Sequence, residues 1–399
     1  MERLRVGLIG VGGIARLHQL GYKDNPTAEL YAVCDVDKEL LGRRAAEWGA
    51  RKSYTDYRQL LADPQVDAVE VITPHHLHET MGVAALQAGK HVSMQKPMAV
   101  SVGECDALIA AAKRSDKLFR VFENFRYYPP LVRAKALLDS GAIGEPLSIR
   151  IKAVQGSMGE GWKIPYSRWA WRFDAAQSGG GRVILDYGYH LFSVAMWLLG
   201  EVEKVFSWIT YRPIRPELAT RSVPLIRGVD HVVQSGAEGG ESSGAEATLP
   251  VTEEVPVPED WMLDSPAVAL WKYRDSEKYG SFEAVTSYDI QVRSKYTPED
   301  EWVELTGSRG FIWVTHCTSN LLDRPPVVMY RDGVTTEFSD MDSDWASSFV
   351  AGVRDFSEAI REGRQAPLTG EEGKRVLQFC RAIQLSAKEG REVRPEEIQ

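Results

Sequence analysis

Several features are scarce or missing in this sequence of 399 residues, and each absence excludes a class of protein. Basic residues are not in excess: 47 Lys and Arg stand against 56 Asp and Glu, a net charge of -9, which argues against a general nucleic-acid role. No apolar run reaches the roughly 18 to 20 residues that a membrane helix needs. The apolar run at the N-terminus is short and enters a glycine-rich turn, which predicts a strand rather than a signal peptide.

Cysteine is also scarce. The four cysteines, Cys34, Cys105, Cys317 and Cys380, lie far apart and form no CxxC pair. This spacing is typical of free thiols in a reducing compartment and argues against structural zinc. We therefore expect a cytoplasmic protein without a metal site. The composition, 44% hydrophobic and 26% charged, is that of a globular chain with two domains or three.

The first 125 residues alternate between apolar runs and segments with helical spacing. Runs such as LRVGLIGVG, ELYAVCDVD and VDAVEVITP are apolar almost throughout. Strands of this kind, separated by helices, indicate a parallel sheet that is covered on both faces. We predict an α/β dinucleotide-binding domain of the Rossmann type, with a doubly wound parallel sheet, over residues 1–125.

The pattern changes after Asn124. Strand-like runs follow one another with turn residues between them, and helical spacing returns near the C-terminus. This predicts a second α/β domain with a mainly antiparallel sheet over residues 126–399. Residues 228–264 contain no Lys or Arg and are rich in Gly, Ser, Glu and Pro. They predict an acidic, mobile insertion, which is either a lid or a disordered surface loop.

A glycine-rich turn follows the first strand. Gly10 permits a tight turn, Gly12 lets the backbone approach a pyrophosphate, and Ala15 lets the next helix pack closely. Asp35 ends the second strand, where a carboxylate accepts hydrogen bonds from ribose hydroxyls and repels a 2′-phosphate. We predict an NAD site, with NADP less favoured; the alternative is a glycine turn without a ligand. The predicted cofactor contacts here are Gly10, Gly12, Gly13, Ile14, Ala15 and Asp35.

Three histidines follow the third strand, in the segment TPHHLH. A metal site is one interpretation, but no Asp, Glu or Cys cluster with ligand spacing accompanies them. The other is a loop beside the nicotinamide ribose, because ligands of such sheets lie at the carboxyl ends of the strands. We favour the second and predict cofactor contacts at Thr73, Pro74, His75 and His78.

Lys96 stands at the carboxyl end of the next strand and is followed by Pro97. It is either a solvated loop lysine or a positioned catalyst. Asp186 and His190 are four residues apart, so on a helical turn they share one face. A carboxylate beside an imidazole can fix its tautomer and tune its basicity. The alternative is an N-capping aspartate and a buried histidine.

Together these segments resemble the Gfo/Idh/MocA family of NAD(P)-dependent oxidoreductases, which includes glucose–fructose oxidoreductase and inositol dehydrogenases. The resemblance rests on GVGGIA, TPHHLHE, GKHVSMQKPMA, ENFRYYP and GGGRVILDYGYH, and on the late stretches ELTGSRGFIWV and DFSEAIREG. It implies a Rossmann domain followed by an α/β domain whose large open sheet often mediates oligomer contacts. It also implies that Lys96, Asp186 and His190 are catalytic and that the Lys96–Pro97 bond is cis.

The sequence departs from the family pattern at two positions. Gln95 replaces the usual glutamate before the lysine, and His75 replaces the usual asparagine after Thr-Pro. The first change removes a carboxylate that would favour a charged Lys96, so we expect either retuned activity or a drift towards a non-catalytic role. Further cofactor contacts are expected at Gln95, Lys96, Pro97 and Asn124.

An aromatic and basic segment precedes the Asp186 region. Tryptophan faces stack on sugar C–H surfaces, and Arg or Lys can hold hydroxyls or an anionic group; the alternative is that Trp169 and Trp171 belong to the core. The predicted substrate contacts are Lys96, Arg126, Tyr127, Tyr166, Trp169, Trp171, Arg172, Asp186 and His190.

The leading hypothesis is an NAD-dependent dehydrogenase that acts on a secondary alcohol of a sugar, glycoside or cyclitol. His190, alone or with Lys96, would remove the hydroxyl proton; Asp186 would orient His190, and Lys96 would polarise the oxygen. One alternative is redox-neutral glycoside cleavage through transient oxidation of a ring carbon and elimination. Another is a non-catalytic, cofactor-binding regulator. We expect a homo-oligomer, a dimer or tetramer built through the C-terminal sheet, with a small carbohydrate substrate and no membrane or nucleic-acid partner.

Overall fold

The computed structural model describes residues 3–158, 170–214, 258 and 261–399. A six-stranded sheet occupies the N-terminal part of the chain, and all its neighbouring strands are parallel. Its strands are β1 (Leu4–Ile9), β2 (Ala28–Cys34), β3 (Lys52–Tyr54), β4 (Ala68–Val71), β5 (His91–Gln95) and β6 (Phe119–Phe122). The order β3-β2-β1-β4-β5-β6 is doubly wound, which confirms the predicted Rossmann fold.

Helices connect these strands. They are α1 (Ala15–His18), continued by a 3-10 turn (Gln19–Tyr22), α2 (Lys38–Trp48), α3 (Tyr57–Ala62), α4 (His78–Gln87) and α5 (Val102–Arg114). Local signals set their ends: the Asp37 carboxylate accepts the Leu40 N–H at the start of α2, and Gly49 ends it in the left-handed conformation. β3 and α3 were not predicted from the sequence. β3 is a three-residue edge strand with mostly exposed side chains, so it lacks an apolar signal.

A second sheet of eight strands follows, in the order β14-β13-β12-β11-β7-β10-β9-β8. Its strands are β7 (Pro146–Met158), β8 (Val202–Pro213), β9 (Met262–Tyr273), β10 (Tyr279–Val292), β11 (Glu299–Gly307), β12 (Gly310–Val314), β13 (Val327–Arg331) and β14 (Val334–Phe338). Only the β7–β10 pair among these strands is parallel. The prediction of a mainly antiparallel sheet is confirmed.

Five further α-helices and one π-helix accompany the second sheet in the described ranges. They are α6 (Pro129–Asp139), α7 (Ala175–Ser178), a π-helix (Arg182–Tyr187), α8 (Gly188–Leu199), α9 (Trp345–Glu362) and α10 (Gly370–Glu389). α9 reaches back to the first sheet's layer, where Gly21 and Gly352 permit close packing against Val353 and Phe122 respectively. α10 packs on α5, α8 and β8. The C-terminal helices α9 and α10 therefore pack against elements of both sheets.

Most of the predicted acidic insertion lies outside the described residues, but its predicted C-terminal end is corrected. β9 begins at Met262, and Asp264 is 1% exposed. Both of its carboxylate oxygens accept backbone N–H groups, from Val183 and Ile184, at 2.8 Å each. Residues 262–264 therefore belong to the sheet. In the part of the chain that the structure covers, no helix combines the length and apolarity required to cross a membrane.

Candidate active site

The carboxyl edge of the first sheet brings three predicted segments together. The glycine-rich turn follows β1, the Thr73–His78 loop follows β4, and Lys96 follows β5, and these three strands are adjacent in the sheet. Parallel strands end at one edge, so residues far apart in sequence meet there. The Lys96–Pro97 peptide bond is cis, as the family resemblance implied.

The glycine-rich turn has the shape that a dinucleotide requires. Gly10 has φ +95°, and a Cβ atom there would lie 2.2 Å from the carbonyl oxygen of Ile72, so only glycine fits. A Cβ atom at Gly12 would meet nothing within 4 Å, which leaves open space for a pyrophosphate against the backbone. Ala15 is fully buried, so α1 packs closely on the sheet. These residues fit an NAD molecule, with the anion at Gly12, Gly13 and Ile14.

The Asp35 carboxylate holds the glycine-rich turn and is still able to make the predicted ribose contact. Its Oδ2 accepts the Val11 N–H at 2.9 Å, and its Oδ1 accepts the Asp37 N–H at 3.0 Å. Each carboxylate oxygen has a second lone pair, so ribose hydroxyls can still donate to it. The hydroxyl oxygen of Thr73 is buried and has no hydrogen-bond partner among the described residues. A buried, unpaired hydroxyl of this kind suits a ligand contact at the same edge.

The three histidines of the Thr73–His78 loop do not converge on one point. Nδ1 of His75 bonds the Ser178 carbonyl at 2.9 Å, and Nδ1 of His76 bonds the Gln177 carbonyl at 3.3 Å. Both ring nitrogens of His78 face backbone carbonyls, those of Pro97 and Thr73, at 2.8 and 2.9 Å. The imidazoles thus anchor α7 and the cis-proline loop. Within the described ranges, no group of three or more His, Cys, Asp or Glu side chains could hold a metal ion.

Lys96 and Asp186 form the centre of the site. The Lys96 ammonium donates to the Asp186 carboxylate at 2.8 Å and to its backbone carbonyl at 2.6 Å. The same carboxylate accepts Nε of Arg172 at 3.0 Å, with Arg182 at 3.5 Å and His75 at 3.6 Å. The Asp186 side chain is 5% exposed. One buried carboxylate therefore holds the predicted catalytic lysine and a predicted substrate residue, Arg172.

The electrostatics of this cluster fix two protonation states. Burial alone would raise the pKa of Asp186, but Lys96, Arg182 and Arg172 hold it well below its ordinary value. Burial lowers the pKa of His75 from its ordinary 6.5 to about 3, although Asp186 opposes that change. Near neutral pH the aspartate is therefore ionised and His75 is neutral.

The predicted pairing of Asp186 with His190 is wrong. No hydrogen bond joins them among the described residues; Nδ1 of His190 instead donates to Oε1 of Glu123 at 2.7 Å. The prediction assumed α-helical spacing, whereas Asp186 lies in the π-helix, with its N–H bonded to the Gly181 carbonyl five residues back. The Asp186 carboxylate accepts hydrogen bonds from Lys96 and Arg172 instead. Glu123 was missed, although it stands in the quoted ENFRYYP segment, directly after a buried strand.

Gln95 is buried and turned towards the core. Its Oε1 accepts the Lys96 N–H at 2.7 Å, and its Nε2 lies 2.9 Å from Nε2 of His18. Nδ1 of His18 contacts the carboxylate of Glu70 at 2.8 Å. An amide N–H can donate only to an unprotonated ring nitrogen, so His18 carries its proton on Nδ1. The expected direct effect of Gln95 on the Lys96 ammonium is corrected: its amide contacts the lysine backbone and His18, and Asp186 supplies the carboxylate.

The remaining predicted contacts divide into two groups. Trp171 lies at the site, edge-on to His75 with ring centroids 4.8 Å apart, and Arg172 stacks over it. The side chains of the other group bond elsewhere: Asn124 to Ser348 at 3.0 Å, Tyr127 to Asp355 at 2.6 Å, and Arg126 to Ser193 and Glu372 at 3.3 Å each. Tyr166 and Trp169 lie outside the described residues.

The fold and the cluster at its edge define a class, the nicotinamide-dependent oxidoreductases. Residues 4–123 match the model of an oxidoreductase family with an NAD-binding Rossmann fold, and residues 131–312 match the Gfo/Idh/MocA C-terminal domain. The chain belongs to the Gfo/Idh/MocA family.

Three similar proteins illustrate the range of the family. The chain is 32% identical to levoglucosan dehydrogenase of Pseudarthrobacter phenanthrenivorans over 228 residues, which cover 54% of this chain and 57% of that protein. It is 26% identical to myo-inositol 2-dehydrogenase of Thermotoga maritima over 99% of both chains. A solved NAD-binding oxidoreductase from Klebsiella pneumoniae superposes with a TM-score of 0.73 at 25% identity, covering 98% of this chain and 99% of that one.

Proposed function

We propose that this protein is an NAD-dependent dehydrogenase that oxidises a secondary alcohol of a sugar, glycoside or cyclitol. The observation that carries the proposal is the Lys96–Asp186 contact of 2.8 Å at the sheet edge that also holds the open glycine turn. Relatives named for levoglucosan, myo-inositol and D-apiose support a polyhydroxylated ring as the substrate. The aromatic ring of Trp171, which lies at the site beside His75, suits the apolar C–H face of such a ring.

Each side chain of the site has a distinct task in the proposed reaction. NAD, when bound along the glycine-rich turn, would supply the hydride acceptor at nicotinamide C4. Lys96, held by the ionised Asp186, donates a hydrogen bond to the alcohol oxygen and favours its deprotonated form. His190 accepts the hydroxyl proton. Arg172, anchored on Asp186 through Nε, presents its terminal nitrogens to the hydroxyls of the ring.

A panel of ring polyols tests this function. We expect levoglucosan, myo-inositol, D-apiose or a related compound to reduce NAD, with slower reduction of NADP because the Asp35 carboxylate repels a 2′-phosphate. The substrate should be deuterated at its ring carbons, and the mass of the nicotinamide product should be measured. Deuterium in NADH supports the dehydrogenase. A changed sugar without net NADH would instead support redox-neutral glycoside cleavage, which the dehydrogenases and reductases among the named relatives do not favour.

We also propose that the second sheet mediates a homo-oligomer. The face of β8, β9 and β10 that lies opposite α10 exposes large apolar side chains: Trp208, Leu270 and Tyr279 are 60%, 44% and 52% exposed. Cross-strand pairs such as Trp208–Val268 and Phe206–Leu270 make this surface continuous. Contiguous apolar surface of this kind is typical of protein interfaces.

The four cysteines are free and buried, which supports a reducing, cytoplasmic location.

A further inference from the structure

Glu123, the residue directly after β6, fixes one side of the His190 imidazole. Its Oε1 accepts two hydrogen bonds, from Nδ1 of His190 at 2.7 Å and from the Phe125 N–H at 3.1 Å. The Phe125 ring stacks on the imidazole, with centroids 4.9 Å apart and planes inclined by 24°. Both the direction and the tilt of the imidazole are therefore set by the protein.

Glu123 is deeply buried, so its negative charge interacts strongly with neighbouring groups. The residue is 1% exposed, and its Oε2 is buried without a hydrogen-bond partner among the described residues. A buried carboxylate is costly to keep unless a positive charge stands beside it. In the described ranges, His190 is the only ion-pairing partner of Glu123. When His190 is protonated, the adjacent Glu123 carboxylate therefore balances its positive charge.

Other ionisable groups on the elements around the site have partners of their own. The Arg126 guanidinium bonds Ser193 and Glu372, each at 3.3 Å. The Lys96 ammonium is held by Asp186. The Tyr189 hydroxyl donates to the Gly373 carbonyl at 2.9 Å, and burial raises its pKa well above its ordinary value. Arg126 and Lys96 are thus paired with other carboxylates, and none of these groups takes the place of His190 as the partner of Glu123.

We propose that Glu123 is the positioning residue of His190 in alcohol oxidation. It keeps the proton of the neutral imidazole on Nδ1, so the Nε2 lone pair accepts the substrate proton. The alcohol O–H bond breaks and an Nε2–H bond forms, while the C–H electron pair leaves as the hydride that reduces NAD. Glu123 then stabilises the imidazolium. This inference rests on the proposed function and moves the orienting role from Asp186 to Glu123.

Glu123→Gln removes the charge and keeps the shape. The Phe125 N–H still needs an acceptor, so the amide oxygen stays at the Oε1 position and the Nδ1–H tautomer is retained. We expect kcat to fall about 10-fold or more, a part of the 10²–10⁴ that general-base catalysis contributes, with KM for the sugar little changed. The rising limb of the pH–rate profile should move to lower pH, because the imidazolium loses its counter-charge. Glu123→Asp should restore part of kcat.

The matched control is Asp344→Asn, which removes a carboxylate that caps α9 and bonds Lys295. It should lower stability without moving the pH limb. An unchanged limb in Glu123→Gln, with the wild type active, would overturn the inference and leave the proposed function intact. If the wild type fails to reduce NAD with every substrate of the panel, the proposed function is overturned instead.

A second measurement is made on the wild-type protein, so it does not depend on whether a Glu123 variant folds. Nitrogen NMR of ¹⁵N-histidine-labelled wild-type protein with bound NAD reports which ring nitrogen carries the proton, and His190→Gln identifies the signals. We expect a protonated Nδ1 and a bare Nε2 in the neutral ring. A neutral ring protonated on Nε2 would overturn the role of Glu123 whether or not the Glu123→Gln variant folds.

Discussion

At the scale of the residue, the buried imidazole of His75 predicts a specific loss of stability in acid. Burial lowers its pKa from 6.5 to about 3, so below about pH 6.5 the unfolded chain binds a proton that the folded state does not. Stability therefore falls as pH falls through this window. His75→Asn should flatten the fall by about 1.4 kcal/mol per pH unit between about pH 6 and 4.

Urea unfolding at a series of pH values measures this slope. Leu77→Met, in the same loop, changes no titrating group and serves as the control. His78, whose pKa burial lowers to about 4, remains in the variant and keeps part of the slope. If His75→Asn and the control show the same slope as the wild type, the buried, neutral state of His75 is disproved.

At the scale of the element, the features that could be predicted from the sequence are those that depend on hydrophobic periodicity and on turn-forming residues. Apolar runs such as VDAVEVITP and the glycines from Gly10 to Gly13 carry their signals locally, so the parallel sheet and the NAD turn were predictable. The lysine at the end of β5 followed from the same rule, because parallel strands end at one edge.

The π-helix shows why the rest of the site was not predictable. Three glycines with positive φ, at positions 179 to 181, lead into it, and Asp264 from β9 binds its first N–H groups. That contact joins residues about eighty positions apart, so no local pattern reveals it. Residue spacing alone therefore did not show that Asp186 bonds Lys96 while Glu123 bonds His190.

At the scale of the whole molecule, the exposed face of the second sheet predicts an oligomer that one charge can disrupt. Trp208→Glu places a carboxylate in the apolar surface formed by β8, β9 and β10, and burying it without a partner would be unfavourable. We expect the variant to sediment as a monomer at concentrations where the wild type is a dimer or tetramer. Sedimentation velocity measures the difference.

Val132→Glu is the control for that experiment. Val132 is also exposed, but it lies on α6 rather than on the β8–β10 face. This variant should sediment like the wild type. A monomeric wild type, or an unchanged assembly in Trp208→Glu, would show that the sheet face is not the interface.

Lys96 is the central residue of the proposed site, and the decisive measurement is turnover of NAD by Lys96→Ala with the best substrate of the panel, at saturating NAD. Titration of NAD against the variant shows whether the cofactor still binds, and Lys113→Ala, an exposed lysine on α5, is the control. We predict that Lys96→Ala binds NAD and loses turnover by about 10²-fold or more, while Lys113→Ala keeps it. Near-normal turnover in Lys96→Ala would contradict the proposed site.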